Sequence, residues 1–217
     1  EMLRSLVGSE MCIRDSNNVL YNEYILFPIA DFYLKKERWN EAIEVYEEME
    51  TIGALKGRGA EYYQKLGYAL QKNKKYAEAI DAYLKADTLK PDNIWNNRHL
   101  ATCYRLTKNY RAALTYYKKV EEVAPEDANV IFYIGNCLAE MEQYEEALNY
   151  FFKLDFIKSN CVKAWRGIGW CSFISRKYEQ AMKYYEKIIG QKPQAIDYMN
   201  ACLLYTSDAA DDKARVD

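Results

Sequence analysis

One short phrase recurs along this chain at a fixed interval, and that repetition restricts the fold more than any other feature. Each copy has an aromatic residue, two variable residues, an alanine and an aliphatic residue. The five aromatic residues are Trp39, Tyr76, Tyr110, Tyr144 and Tyr178. From Tyr76 onward they are spaced by 34 residues. A period of this length is typical of repeat proteins in which each copy forms one supersecondary unit.

Other residue types keep the same interval. We call a position that recurs in successive repeats a column. The small-residue column is Gly67, Ala101, Gly135 and Gly169, and the aromatic column is Tyr83, Tyr117, Phe151 and Tyr185. The proline column is Pro91, Pro125 and Pro193. Apolar residues recur at three- and four-residue spacing, which indicates two amphipathic helices per unit. We expect the small residues where helix axes approach to roughly 8–10 Å. Because one helix pair cannot bury both of its apolar faces, the units are predicted to stack on each other.

These columns resemble the pattern of the tetratricopeptide repeat (TPR) family. The best match is the unit 60–93, through Tyr63, Leu66, Gly67, Ala79, Tyr83, Ala86 and Pro91. The resemblance implies an all-α fold, a right-handed superhelical solenoid of TPR helix pairs. The expected units are about 23–56, 60–93, 94–127, 128–161 and 162–195, with a truncated sixth from 196. The expected helix pairs are about 23–52, 60–89, 94–123, 128–157 and 162–190.

The two ends of the chain carry a different signal. Back-translation of Met11–Ser16 and of Cys202–Ser207 gives DNA stretches that are reverse complements in shifted reading frames. Both stretches resemble the transposon-end adapter used to prepare sequencing libraries. We therefore interpret residues 1–16 and 202–217 as adapter-derived. The TPR array is then expected over residues 17–201, as a fragment whose targeting signals and neighbouring domains would lie outside it.

Composition argues against several classes of function. The chain has 30 Lys and Arg against 32 Asp and Glu, a net charge of -2, which does not favour a nucleic-acid binder. No apolar run approaches the ~18 residues of a transmembrane helix. The single histidine, His99, argues against most His-based triads and multi-His metal sites within this chain. We expect His99 to be groove-lining or partly buried, and we predict no catalytic residues, no metal site and no cofactor.

The cysteines and one glycine pair have simple structural interpretations. Cys103, Cys137 and Cys171 share one slot in successive units, beyond the ~7 Å Cα separation that a disulfide allows. They are expected to be small buried residues, and unpaired thiols favour a reducing compartment such as the cytoplasm. Gly167-Ile168-Gly169 lacks the Lys-Ser/Thr of a phosphate loop and is attributed to the small-residue column.

The TPR resemblance implies a binding surface on the first helices of successive units, where a concave groove contacts a peptide. Carried onto this chain, the predicted peptide-binding residues are Trp95, Arg98, His99, Arg105, Phe132, Tyr133, Asn136, Lys163, Arg166, Trp170 and Phe173. The tryptophans and Phe132 would cover apolar side chains of a partner, and the arginines would pair with its carboxylates. The alternative for each aromatic residue is that it packs between neighbouring first helices.

Three functions remain open from the sequence. The preferred hypothesis is a non-catalytic protein–protein interaction scaffold with a protein or peptide ligand. The alternative is the recognition or regulatory arm of a larger enzyme or sensor whose catalytic domain lies outside this fragment. RNA binding by a helical repeat is disfavoured by the near-zero net charge. The pattern of the carboxylate-clamp TPR subfamily is only partly present, because Gln64 and Tyr68 stand where Lys and Asn are expected.

Overall fold

The computed structural model describes the backbone of residues 19–53, 57–191 and 193–214 and the side chains of residues 25–53, 57–191 and 193–206. Within these ranges all regular secondary structure is α-helical. The helices are α1 (Val19–Lys35), α2 (Trp39–Thr51), α3 (Gly59–Lys72), α4 (Tyr76–Leu89), α5 (Ile94–Leu106), α6 (Tyr110–Val123), α7 (Ala128–Glu140), α8 (Tyr144–Ile157), α9 (Val162–Ile174), α10 (Tyr178–Ile189) and α11 (Ala195–Ala214). The predicted adapter segment 1–16 lies outside the described residues.

The helices occur in the expected pairs, with bounds that differ from the predicted ones by a few residues. The chain divides into two compact units, residues 1–107 and 108–217, so the first holds α1–α5 and the second holds α6–α11. Within each unit consecutive helices pack against each other. First helices of neighbouring repeats also contact, namely α3 with α5 and α7 with α9. None of the described helices combines the length and the hydropathy needed to cross a lipid bilayer.

Each second helix buries one aromatic ring at the same slot of the repeat. These rings belong to Tyr46, Tyr83, Tyr117, Phe151 and Tyr185, all almost fully buried. For Tyr83, Phe151 and Tyr185, the ring packs against the glycine on the preceding first helix. A Cβ placed on Gly67 would lie 2.8 Å from the Tyr83 ring, and one on Gly169 would lie 2.8 Å from the Tyr185 ring. The expectation that small residues mark close helix approach is therefore confirmed.

Phe151 is enclosed by glycine on two sides. A Cβ on Gly135 of α7 would lie 2.8 Å from its ring, and a Cβ on Gly167 of α9 would lie 2.7 Å from it. The sequence pattern attributes Gly167 to the small-residue column, which in this repeat belongs to Gly169. The structure corrects that attribution, because Gly167 faces the aromatic ring of the preceding repeat. Two glycines thus leave room for one ring between α7 and α9.

The turns inside the helix pairs share one hydrogen-bonded closure that does not use glycine. After α3, the Lys75 N–H donates to the Leu70 carbonyl at 2.9 Å and the Lys74 N–H donates to the Gln71 carbonyl at 3.1 Å, which is the Schellman pattern. Lys74 has a φ of 64°. The same pair of bonds follows α1, α7 and α9. Because Lys75 is also the N-cap of α4, the turn fixes the second helix against the first.

The final helix, α11, extends into the predicted adapter segment 202–217. Ala201 and Leu204 are buried together with Trp165 and Tyr185. Leu203 stands 34 residues after Gly169, in the column that otherwise holds glycine or alanine, and it is 46% exposed. The repeat pattern is thus not kept at position 203, and the adapter origin of residues 202–217 stays a prediction.

The substitution Gly135→Leu is expected to lower the free energy of unfolding by about 1–3 kcal/mol or more, because the new side chain overlaps the buried Phe151 ring. Urea denaturation followed by circular dichroism measures the change. Gly190→Leu is the matched control, since a Cβ at Gly190 meets no atom closer than 3.6 Å. Equal destabilisation by the two substitutions would contradict the close approach of α7 and α8.

Candidate functional site

The structure distributes the predicted binding residues over two surfaces, one in each compact unit. Trp95, Arg98, His99 and Arg105 lie on α5 of the first unit, whereas Phe132, Tyr133, Asn136, Lys163, Arg166, Trp170 and Phe173 lie on α7 and α9 of the second. We call these surfaces the α3–α5 face and the α7–α9 face, because α3 and α7 are the neighbouring first helices. In each unit the predicted residues share one layer of adjacent first helices.

The α3–α5 face is built around an aromatic cluster. Trp95 is 41% exposed, and its ring centroid lies 4.1 Å from that of His99 and 6.0 Å from that of Tyr68. The buried Tyr83 stacks on His99 at 5.9 Å, and Tyr68 meets His99 edge-on at 5.6 Å. Three rings therefore surround the imidazole, and the outer surface of the cluster is the Trp95 indole.

His99 is held in its neutral form. Its Nδ1 lies 2.8 Å from Gln71 Oε1, which also accepts a hydrogen bond from the Tyr83 hydroxyl at 3.0 Å. Because a carboxamide oxygen only accepts, Nδ1 carries the proton. Burial, together with the positive charges of Arg98 and Lys72, lowers the pKa of His99 to about 4. This arrangement fits the expected partly buried histidine and gives the ring a positioning role beneath Trp95.

Acidification is expected to destabilise the first unit through His99. The pKa of His99 lies near 4 in the folded state and near 6.5 in the unfolded state. The contribution of the neutral imidazole to the free energy of unfolding is therefore complete above about pH 6.5 and is lost as the pH falls towards 4. Between about pH 7 and pH 5 the loss amounts to about 2 kcal/mol. Urea denaturation of the wild-type chain and of His99→Gln at both pH values measures it. An identical pH dependence in both proteins would contradict the burial of a neutral imidazole.

Four charged side chains, on α1 and on the N-cap and first half of α3, form ion pairs with one another. The Lys65 ammonium lies 2.8 Å from Asp31 and 2.9 Å from Glu61. Arg58 contacts Glu61 at 2.9 Å and covers the Phe27 ring at 4.0 Å. These cations and carboxylates neutralise one another, so this part of the first unit presents little net charge to a ligand.

The α7–α9 face combines exposed and packed aromatic residues. Trp170 is 46% exposed, and its ring lies 6.2 Å from that of Phe173. Phe132 packs against the buried cluster of Ile131 and Leu154, and Tyr133 stacks on Tyr117 at 5.7 Å. The alternative interpretation, packing between helices, therefore applies in part to Phe132 and Tyr133. Trp170 is the aromatic residue that this face exposes to solvent, and Ile174, one turn later on α9, is exposed beside it.

The structure corrects the expected role of Arg166. Its Nε and terminal nitrogen donate to the two carboxylate oxygens of Asp197 at 2.8 and 2.7 Å. Asp197 is only 1% exposed, and it also accepts the Gln194 N–H at the start of α11. The hydrogen bonds from Arg166 hold the pKa of Asp197 below its ordinary value. The guanidinium thus connects α9 to α11 instead of facing a partner's carboxylate.

Asp197→Asn is expected to lower the free energy of unfolding by about 1–3 kcal/mol, because it weakens a bidentate, largely buried pair and a helix cap. Because the folded pKa is lowered, the contribution of Asp197 is present above about pH 4 and is lost as the pH falls below that value. Hydrogen exchange of residues 195–206 and thermal denaturation measure both effects. Asp81→Asn on the exposed surface of α4 is the control, and equal effects would contradict the pairing.

The cysteines occupy the predicted structural positions. Cys103, Cys137, Cys161 and Cys171 are buried, and none of the four forms a disulfide within the described part of the chain. Burial raises the pKa of Cys103 to about 12 and that of Cys171 to about 11. Within the described part of the chain, no three His, Cys, Asp or Glu side chains come together as a metal site. The thiols of Cys103 and Cys171 are therefore protonated core side chains.

Two residues that contribute to these faces were not predicted from the sequence. Asp197 was not predicted, although its place three residues after Gln194 is the spacing of a capping box. Lys72 was also missed, and its ammonium lies 5.3 Å from the centre of the Tyr68 ring. Asp197 acts across helices that are far apart in sequence, where residue spacing within one helix gives no signal. Lys72 instead lies one turn after Tyr68 on α3, a spacing that the sequence does show.

Comparison with known proteins identifies the repeats. Models of the tetratricopeptide repeat match residues 26–53, 60–93, 107–154 and 142–196, which together cover more than half of the chain. No curated protein matches significantly.

Solved structures confirm the fold class. A tetratricopeptide repeat protein from Parabacteroides merdae has a TM-score of 0.75 at 18% identity, over 90% of this chain and 77% of that one. MamA from Desulfovibrio magneticus RS-1, residues 41 to the end, has a TM-score of 0.71 at 19% identity, over 79% of this chain and 98% of that one. These likenesses show an all-α TPR solenoid fold. The chain therefore belongs to the tetratricopeptide repeat family, whose members are generally protein–protein interaction scaffolds.

Proposed function

We propose that this chain is a non-catalytic scaffold that binds a peptide segment of a partner protein on the first-helix layers of its repeats. The observation that carries the proposal is the exposure of one tryptophan on each face, Trp95 on α5 and Trp170 on α9. Tryptophan is enriched among the residues that dominate binding energy at protein interfaces. In a family of interaction scaffolds, these two indoles are the strongest candidates for contact with a partner.

Both indoles pack against other aromatic rings of the protein, and this packing lowers the entropic cost of binding. Trp95 rests on His99 and Tyr68, and His99 is itself fixed by Gln71. Trp170 rests on Phe173, which in turn contacts Tyr178 of α10 at 6.1 Å. Side chains that are ordered before the partner arrives lose little freedom on binding. The support therefore favours a recognition role for the two indoles.

The titratable groups support a binding role over a catalytic one. His99 has a pKa near 4 and uses its Nδ1–H in a structural hydrogen bond. Burial raises the thiol pKa values of Cys103 and Cys171, which suppresses the thiolate needed for nucleophilic attack. The groups that most often act as bases and nucleophiles are thus committed to the core.

The variants Trp95→Ala and Trp170→Ala are expected to weaken binding of a partner by about tenfold or more each, because each removes an exposed anchor. Partners captured by the purified wild-type chain are identified by mass spectrometry, and the affinity for each is then measured by calorimetry. Phe156→Ala is the control, since Phe156 is 89% exposed but lies on the second helix α8. Full retention of every partner by both tryptophan variants would contradict the proposal.

A further inference from the structure

The α7–α9 face carries an unusual division of charge between its helices. The first helices α7 and α9 contain Lys163 and Arg166 as cations and a single carboxylate, Glu140, at the last residue of α7. The second helix α8 contains three acidic residues, two of them in its first turn. Glu140 accepts a hydrogen bond from the Tyr110 hydroxyl. The first-helix layer that bears Trp170 therefore has two cations and one carboxylate on α7 and α9, in a chain whose net charge is -2.

Lys163 is the cation of this layer that remains available to a ligand. Arg166 is bound by both carboxylate oxygens of Asp197. Lys163 is exposed, and no carboxylate of the described residues forms a salt bridge with it. Its ammonium lies 5.5 Å from the centre of the Phe132 ring. This weak contact with an aromatic ring leaves the ammonium available to an incoming carboxylate.

Helix geometry sets the distance between this cation and the exposed indole. Lys163 and Trp170 are seven residues apart on α9, which places them on the same side of the helix, about 10.5 Å apart along its axis. A polyproline-like segment presents side chains three residues apart at about 9 Å on one side. A helical segment presents side chains seven residues apart at the same spacing as α9 itself. Both forms of a partner segment match this separation.

We propose that the α7–α9 face binds an acidic segment of a partner protein, with one carboxylate on Lys163 and one large apolar side chain on Trp170. This inference rests on the proposed function and specifies its ligand. The carboxylate lies above Phe132, beside the ammonium, and the apolar side chain covers the indole and the adjacent Phe173. Charge complementarity selects an acidic segment, and the fixed spacing on α9 selects the separation of its two anchors.

The test uses the complete purified chain and random peptides displayed on phage. Enriched peptides are expected to contain an acidic residue and a large apolar residue three positions apart, or seven apart in a helical sequence. Synthetic peptides of the enriched sequences are then titrated by fluorescence anisotropy. Lys163→Glu is expected to weaken their binding by about tenfold, and replacement of the peptide's acidic residue by Lys is expected to restore binding to that variant. Affinity should also fall with increasing salt.

Lys183→Glu is the matched control, because it makes the same charge change at an exposed position of α10. Equal effects of Lys163→Glu and Lys183→Glu, or enriched peptides without acidic residues, would overturn this inference. If the enriched peptides lack acidic residues but their binding still depends on Trp170, the proposed function stands and only the acidic-segment inference fails. If no peptide binds, or binding ignores both tryptophans, the proposed function fails as well. Self-association of the chain that Trp170→Ala abolishes would show a second copy on this face and would overturn the acidic-segment assignment.

Discussion

The structure depends on the contact between an aromatic ring of a second helix and a glycine of a first helix, which is seen for Tyr83, Phe151 and Tyr185. At Gly67, Gly135 and Gly169 a single methyl group would stand 2.8 Å from the ring, well inside van der Waals contact. This contact sets how closely the two helices of a pair approach. Phe151 extends the principle to the neighbouring repeat, because Gly167 gives the same ring room on its other side. Packing within and between repeats thus uses the same side chain.

The arrangement of the two candidate faces follows from that packing. Since the second helices supply the buried rings, the first helices are free to place larger side chains on their other side. The turns reinforce this order, because the Schellman closure after α3, α7 and α9 directly precedes the N-cap of the second helix. Trp170 therefore lies on backbone that is held from three directions: by the turn, by the second helix α10 and by the neighbouring first helix α7. Trp95 lies on a helix that packs against α3 and α4. A surface of this kind changes little when a partner binds.

The two compact units differ in how their charged side chains are paired. In the first unit, Asp31 and Glu61 neutralise Lys65 and Arg58. In the second unit, Asp197 neutralises Arg166 and leaves Lys163 beside Phe132. The same repeat pattern thus carries two electrostatic surfaces, because the side chains that decide charge lie at positions where the repeat tolerates variation. Specificity for a partner is therefore expected at these variable positions, and stability at the repeated ones.

The sequence by itself determined the repeat, the helix pairs, the buried aromatic and small columns and the helices on which the candidate residues lie. These features are encoded by residue spacings that range from one helical turn to one repeat. The motif occurs five times, and its last four copies are spaced by 34 residues. Only the tertiary structure decided that Asp197 pairs with Arg166 and that Gln71 and three rings keep His99 neutral. It also decided that Gly167 packs against the Phe151 ring. Each of these depends on desolvation or on contact between side chains from different helices, and the hydrophobic period of a single helix carries no information about either.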